Sequence, residues 1–248
     1  MPPLKEVSTS HSPEEYLRRA LRAESPASRA RLAREGLESG GRDVAPDTEV
    51  LLLRQVYLAH LDQHRFQQAA DVALEAASKG PLADVLRHDA SRALAALGDL
   101  DAAVEQQRLA ARVAPAERRS FHYWSLATLL HHAGDHEAAI AALRRGERWA
   151  HDDRPLLKAH RAWVRLEAGQ AVSHLPAIVA SLEGSRAGKG YGQLVLGMVR
   201  YHMGDHRRAA VHLRAFLRRN AAADAAKALT LREELRRART VLAELESV

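Results

Sequence analysis

The feature that most constrains the fold of this chain is an internal repeat of about 35 residues. A short polar turn followed by a small residue recurs as HRFQQA, GDLDAA, GDHEAA and GDHRRA. These segments end at Ala69, Ala103, Ala139 and Ala209, so the successive separations are 34, 36 and 70 residues. The last separation is two periods long, and AGQAVSH, ending at His174, divides it into steps of 35 and 35. A fixed period of this length is typical of folds that stack one small supersecondary unit.

Each unit predicts two helices joined by a tight turn. An apolar-periodic segment ends near a glycine, which accepts the left-handed backbone that often follows a helix. The second segment opens with Asp or another polar residue that can accept hydrogen bonds from free backbone N–H groups. An alanine one turn later allows two helices to pack closely, and a composition rich in Ala, Leu and Arg, with 4 % aromatic residues, favours helix over strand. The turn glycines are Gly98, Gly134, Gly169 and Gly204.

With these turns and small residues, the chain resembles the tetratricopeptide repeat (TPR) family, whose units are about 34 residues long. The resemblance also rests on the residues after the turn (Phe66, Leu100, His136 and His206) and on the Leu196-Gly197 pair. It covers Pro46 to Asn220, in units at 50–83, 84–117, 120–153, 155–188 and 190–220. The family's usual Trp in the first helix is replaced in every unit, and Tyr123 is its nearest equivalent. The resemblance implies an all-α, right-handed α-solenoid whose first helices line a concave groove.

Three segments follow from this interpretation. Residues 1–45 form an N-terminal helical segment, either a degenerate repeat or an arm, with helix beginning near Ser12 and Pro13. Residues 46–220 form the solenoid. Residues 221–248 form a C-terminal helix, predicted to run unbroken from Ala222 to Ser247. Its apolar stripe indicates a cap on the solenoid, with a dimerisation helix and a homodimer as the alternative.

The groove of such a solenoid predicts a protein or peptide partner. Projecting the first helices gives a lining in which aromatic side chains supply contact area and Arg pairs with carboxylates. We therefore expect a protein-interaction scaffold or adaptor. The predicted groove residues are Arg54, His88, Arg92, Trp124, Thr128, His131, Trp163, Tyr191, Met198 and Tyr201.

An alternative partner is nucleic acid or another acidic molecule. The formal net charge is +6, and the chain from Arg200 onward contributes +5 of it. A basic face of this kind attracts polyanions, although charged residues also serve as an ordinary solvated helix face. The predicted basic patch comprises Arg207, Arg208, Arg214, Arg218 and Arg219.

Enzymatic activity has no support in the sequence. The chain contains no Cys, no GxSxG and no HExxH, and EGSRAGKGYG lacks the spacing of a phosphate-binding loop. The histidines of HHAGDHEAAI (131–140) sit at repeat positions, and Gly134 interrupts the helix between His131 and His136. We therefore expect packing or surface histidines, with no metal and no cofactor. The absence of Cys and of a long apolar segment also leads us to expect a cytoplasmic protein without membrane contact.

Overall fold

The computed structural model describes residues 11–222 and 225–247, and these residues fold as α-helices with two short 3₁₀ turns and no strand. The first ten residues of the predicted N-terminal segment lie outside this range. The all-α prediction is confirmed. In chain order the helices are α1 (Pro13–Leu21), α2 (Pro26–Gly40), α3 (Pro46–Asp62), α4 (Phe66–Ser78), α5 (Ala83–Leu97), α6 (Leu100–Val113), α7 (Ala116–His132), α8 (His136–Glu147), α9 (Arg154–Glu167), α10 (Leu175–Glu183), α11 (Tyr191–His202), α12 (His206–Arg219), α13 (Ala225–Thr230) and α14 (Arg232–Glu246).

The predicted turn chemistry is present at the helix ends. All four turn glycines have positive φ, between 70° and 96°, a backbone region that only glycine adopts at little cost. The aspartates that open α6, α8 and α12 each accept a hydrogen bond from the backbone N–H three residues later. Ser12 caps α1 in the same way, with Pro13 in the first turn, so the predicted helix start near residue 12 is confirmed. Local sequence therefore determines where these helices begin and end.

The chain divides into two compact units between Leu97 and Gly98, inside the segment predicted as one solenoid. In unit 1 the helices α1 to α5 pack in succession, and α1 also packs against α3. Leu32, Leu52 and Val56 belong to the buried core between α1, α2 and α3, and Leu53 and Leu86 belong to the core towards α5. Each helix thus buries one apolar face against its neighbours in sequence.

The described residues of unit 2 form α6 to α14, and their buried apolar side chains include two large clusters. Leu126, Leu143 and Leu157 are buried where α7, α8 and α9 meet. Trp163 and Leu213 are buried in a second core, formed by side chains of α9, α10, α11, α12 and α14. The buried residues from α14 are Leu235, Ala238 and Val241. The C-terminal helix is therefore part of the folded unit, packed against α11 and α12.

Gly197 allows α11 and α12 to approach closely. A Cβ atom at this position would lie 2.6 Å from Cδ2 of Leu213, well inside van der Waals contact. Leu213 is fully buried and cannot move away without opening the core. The Leu196-Gly197 pair thus has a packing role in this unit.

Two sequence predictions are wrong. His174, which the repeat spacing aligns with the alanines of the other second helices, instead precedes α10 with φ of 56°, because Pro176 suits only the first turn of a helix. The tail is not one unbroken helix: α13 and α14 are separate, and Leu231 between them has φ −101° and ψ 13°. Residues 223 and 224 of that tail lie outside the described range.

Candidate functional site

The C-terminal helix α14 makes polar contacts with α7, α9 and α11. Nη1 of Arg237 lies 3.1 Å from Oε2 of Glu167 on α9 and 3.5 Å from Nε2 of His131 on α7. The hydroxyl of Tyr191, at the start of α11, lies 3.4 Å from Oε1 of Glu234. The side chains that contact α14 here are those of His131, Trp163, Glu167 and Tyr191. We use the name docking face for these four together with Trp124 and His160, which lie against them.

A chain of hydrogen bonds runs through the docking face from Trp124 to Glu167. The indole N–H of Trp124 donates to Nδ1 of His160 over 3.1 Å. A neutral His160 then carries its proton on Nε2, which lies 3.2 Å from Nδ1 of His131. His131 in turn carries its proton on Nε2, 2.7 Å from Oε2 of Glu167. Because an indole nitrogen can only donate, it determines the tautomer of both histidines and directs an N–H group at the carboxylate.

Burial and charge keep this chain of groups in one protonation state. Burial lowers the pKa of His131, outweighing the hydrogen bond to Glu167 that would raise it. Burial also lowers the pKa of His160, and neighbouring His131 adds to the effect. Burial alone would raise the pKa of Glu167, but the hydrogen bond from His131 and the charge of Arg237 lower it to about 2. Near neutral pH the histidines are neutral and Glu167 is ionised.

The carboxylate of Glu167 has polar partners on both oxygens. Oε1 accepts the indole N–H of Trp163 at 2.7 Å, and Oε2 faces His131. Nη1 of Arg237 lies 3.3 Å from Oε1 and 3.1 Å from Oε2, and its Cζ is 5.9 Å from the Trp163 ring centroid. Two neutral donors thus orient a partly buried carboxylate, and a guanidinium provides the balancing charge.

A second acid lies on the buried side of α14. Glu234 is 3 % exposed, and its burial raises the pKa of the carboxyl to about 7. Oε1 lies 3.8 Å from Nε2 of His132, whose pKa burial lowers to about 4. Neither that nitrogen nor Oε2 of Glu234 has a hydrogen-bond partner among the described residues. This pair is therefore a source of pH-dependent stability.

Three side chains could hold a metal ion: ligand atoms of His131, His136 and Glu167 lie within 4.8 Å of one another. The turn at Gly134, expected to keep the two histidines from converging, instead brings their ring centroids to 5.8 Å. Two features oppose metal binding here. A guanidinium already balances Glu167, and Nε2 of His131 carries a proton in the hydrogen-bonded chain. The arrangement suits an arginine side chain better than a divalent cation.

The groove residues predicted in unit 2 have different environments. Trp163 and Met198 are buried, with 0 % and 3 % of their surface exposed, so the expectation that these two side chains line an open groove is wrong. Both belong to the core that joins α9 to its neighbours. Trp124 and Thr128 are half-buried on α7, and Thr128 Oγ1 donates to the Trp124 carbonyl over 3.1 Å. The hydroxyl of Tyr201 donates to Glu244 on α14 over 2.9 Å.

The predicted residues of unit 1 form a separate cluster around one acid. Arg54 Nε lies 2.7 Å from Asp89, and Arg92 lies 3.8 Å from the same carboxylate, which is 1 % exposed. His88 is half-buried on α5 beside Asp89. The sequence suggested that these arginines bind a carboxylate of a partner. In the structure both already pair with Asp89.

The basic patch lies on α12 as predicted, and all five arginines are exposed. Arg208 lies 3.5 Å from Asp205, and Arg214 lies 2.7 Å from Glu246 on α14. Arg207, Arg218 and Arg219 form no ion pair with a described residue. The patch is thus partly neutralised.

Sequence reasoning missed four residues of the site: His160, Glu167, Glu234 and Arg237. Trp124 and His160 are 36 residues apart, and so are His131 and Glu167. Moving one repeat period along the sequence from Trp124 and from His131 therefore leads to their partners on α9. No comparable signal points to α14, because its position depends on tertiary packing.

No protein-family model matches the chain, and no curated protein matches it. Among the described residues, none of the helices combines the length and the apolar character that crossing a membrane requires.

Proposed function

We propose that this protein is a non-catalytic interaction adaptor, built as a TPR-like right-handed solenoid, that binds a helical segment of a partner protein on the docking face. The observation that carries the proposal is α14 itself. An amphipathic helix lies against side chains of α7, α9, α11 and α12. It is held by two ion pairs, by hydrogen bonds from two tyrosines and by a narrow apolar stripe. A face that accepts one such helix is suited to accept another.

The repeat architecture is supported by side-chain contacts at nearly constant sequence separation. Polar pairs recur at separations of 33 to 36 residues. Four of them join a first helix to the next first helix or its N-cap residue, and one joins α2 to the end of α3. A stacked array predicts this recurrence, because each unit contacts the next at equivalent positions. The pairs are Arg29 with Asp62, Arg54 with Asp89, Ser120 with Asp153, Trp124 with His160, and His131 with Glu167.

A matched pair of tryptophan variants tests the adaptor function. Full-length Trp124→Ala removes a half-buried ring from the docking face, whereas Trp149→Ala removes a ring that is 38 % exposed and packs under Arg119. Both variants are first checked for folding by circular dichroism. Proteins captured from nuclease-treated host lysate by the wild type and Trp149→Ala, but lost with Trp124→Ala, are then purified and titrated directly.

The proposal requires that a purified partner bind with a measurable dissociation constant that Trp124→Ala weakens by about tenfold or more, as expected when an aromatic anchor is lost. Equal affinity for wild type and Trp124→Ala would place binding elsewhere on the chain. Capture that disappears with nuclease for every bait would favour the second candidate instead.

That second candidate is nucleic-acid binding through α12. It is favoured by Arg207, Arg218 and Arg219, which are exposed and form no ion pair with a described residue. Binding of a short duplex or single strand should weaken steeply between low and physiological salt. The Arg207→Gln/Arg218→Gln/Arg219→Gln variant should reduce that salt slope, while affinity that is flat with salt would exclude this function.

A further inference from the structure

The site around Glu167 requires a cation. Its carboxylate is 19 % exposed and accepts hydrogen bonds from two neutral donors, His131 and Trp163. Within the described part of the chain, the only cationic side chain paired with it is that of Arg237. While a helix covers this face, a carboxylate without a cation would be a largely desolvated, uncompensated charge, which is far costlier than losing a surface ion pair.

The geometry favours a guanidinium over an ammonium. Two different nitrogens of Arg237 contact two carboxylates: Nη1 lies 3.1 Å from Oε2 of Glu167, and Nε lies 3.3 Å from Oε1 of Glu233. The planar group also lies within 6 Å of the Trp163 ring. A flat, weakly hydrated cation can hydrogen-bond a carboxylate and remain close to an aromatic ring, whereas an ammonium is a compact and strongly hydrated point charge.

Arg237 also has a partner on its own helix. Its Nε lies 3.3 Å from Oε1 of Glu233, one turn earlier and 33 % exposed. When α14 leaves the docking face, Arg237 keeps this ion pair in water, whereas Glu167 loses the one cation that pairs with it in the described part of the chain. The charge left unpaired is thus on the docking face, which can accept an arginine from another molecule.

The side of α14 that lies against the docking face shows which other side chains a helix bound there needs. Glu234 precedes Arg237 by three residues and contacts Tyr191. Leu235, Ala238 and Val241 are buried along the same stripe. An occupant is therefore an amphipathic helix with this apolar spacing and an arginine beside it.

We infer that the docking face selects an arginine-bearing amphipathic helix, and that Arg237 of α14 occupies the arginine position until a partner helix displaces it. The inference rests on the proposed function and names the partner's chemistry. A partner helix must compete with a tethered one, whose effective concentration is in the millimolar range. Wild-type protein should therefore bind weakly, and loosening α14 should strengthen binding.

The experiment uses full-length protein and a fluorescent synthetic peptide of residues 225–247. The Arg237→Ala protein should bind this peptide about tenfold more tightly than wild type does, since its own helix no longer pairs with Glu167. Peptides carrying Arg237→Lys or Arg237→Ala should bind progressively more weakly. A peptide carrying Arg239→Ala is the matched control and should bind like the unmodified peptide, because Arg239 is exposed on the same helix.

The protein-side control is Glu167→Gln combined with Arg237→Ala, which should bind the unmodified peptide and the Arg237→Ala peptide equally. Hydrogen exchange of α14 in the Arg237→Ala protein shows whether the helix is released. The inference would be overturned if the amides of α14 in the Arg237→Ala protein were as protected from exchange as in wild type. It would also be overturned if the Arg237→Ala protein, which keeps Glu167, bound the unmodified and the Arg237→Ala peptides with equal affinity. Equal affinity for the two peptides would leave the proposed function intact. Release of α14 with no peptide binding at all would contradict the proposed function itself.

Discussion

Trp124 and His160, 36 residues apart, are joined by a hydrogen bond of 3.1 Å from the indole N–H to Nδ1. This bond determines the direction of every hydrogen bond that follows, through His131 to Glu167. A residue on α7 thereby controls which group faces the carboxylate on α9. The consequences for stability can be measured one residue at a time.

Trp124→Phe keeps an aromatic ring but removes the first donor of the chain. His160 Nδ1 would then be buried without its partner, so we expect the free energy of unfolding to fall by about 1–3 kcal/mol. Urea denaturation monitored by circular dichroism measures the change. Trp149→Phe, at an exposed position on the same unit, should change it by less than about 0.5 kcal/mol. Equal effects of the two substitutions would contradict a role for the Trp124 hydrogen bond.

Glu167→Gln should destabilise the protein by about 2 kcal/mol near neutral pH, because Arg237 loses a partly buried partner. The pKa of Glu167 is lowered to about 2, so its contribution is present above its unfolded value of 4.5 and lost as pH falls towards 2. The difference between variant and wild type should therefore shrink in acid. Glu246→Gln breaks an ion pair with Arg214 in which both side chains are about half exposed, and it should cost at most about 1 kcal/mol.

Glu234→Gln should have the opposite pH dependence. Burial raises the pKa of Glu234 from 4.5 to about 7, so its contribution to stability is complete below pH 4.5 and is lost as pH rises through 7. Neighbouring His132, with a pKa of about 4, is neutral there and supplies no balancing charge. The variant should differ from wild type by less than about 1 kcal/mol at pH 5 and exceed it by about 3 kcal/mol at pH 8.5. Melting curves at both pH values test this, and a gain of equal size at pH 5 would contradict it.

Gly197→Ala should destabilise unit 2 by about 1–3 kcal/mol through overpacking. The new Cβ would lie 2.6 Å from Leu213 Cδ2, in a fully buried contact. Gly184→Ala is the matched control, because its Cβ would meet only a carbonyl oxygen at 3.4 Å and its φ is −75°. Thermal melts of both variants give the comparison, and a neutral Gly197→Ala would mean that the two helices separate without cost.

Part of the candidate site was predictable from the sequence. The turn at Gly134, the cap at Asp135 and the placement of Trp124 and His131 on one helix all follow from local rules, and the structure has them. The burial of Trp163 did not follow, because helical periodicity does not distinguish a side chain facing an open surface from one facing the next helix. For the same reason Arg54 was predicted to face a partner in the groove, whereas its guanidinium pairs with Asp89 on α5.

The sequence by itself determined the all-helical fold, most helix boundaries before residue 221 and the near-constant separation of equivalent positions, since capping residues, glycine turns and apolar periodicity act within a few residues. Tertiary structure alone decided that α14 lies against α7, α9 and α11 and that Arg237 pairs with Glu167, 70 residues away. That pairing depends on burial. A carboxylate shielded from water needs a cation, and which cation reaches it is determined by packing across the whole unit.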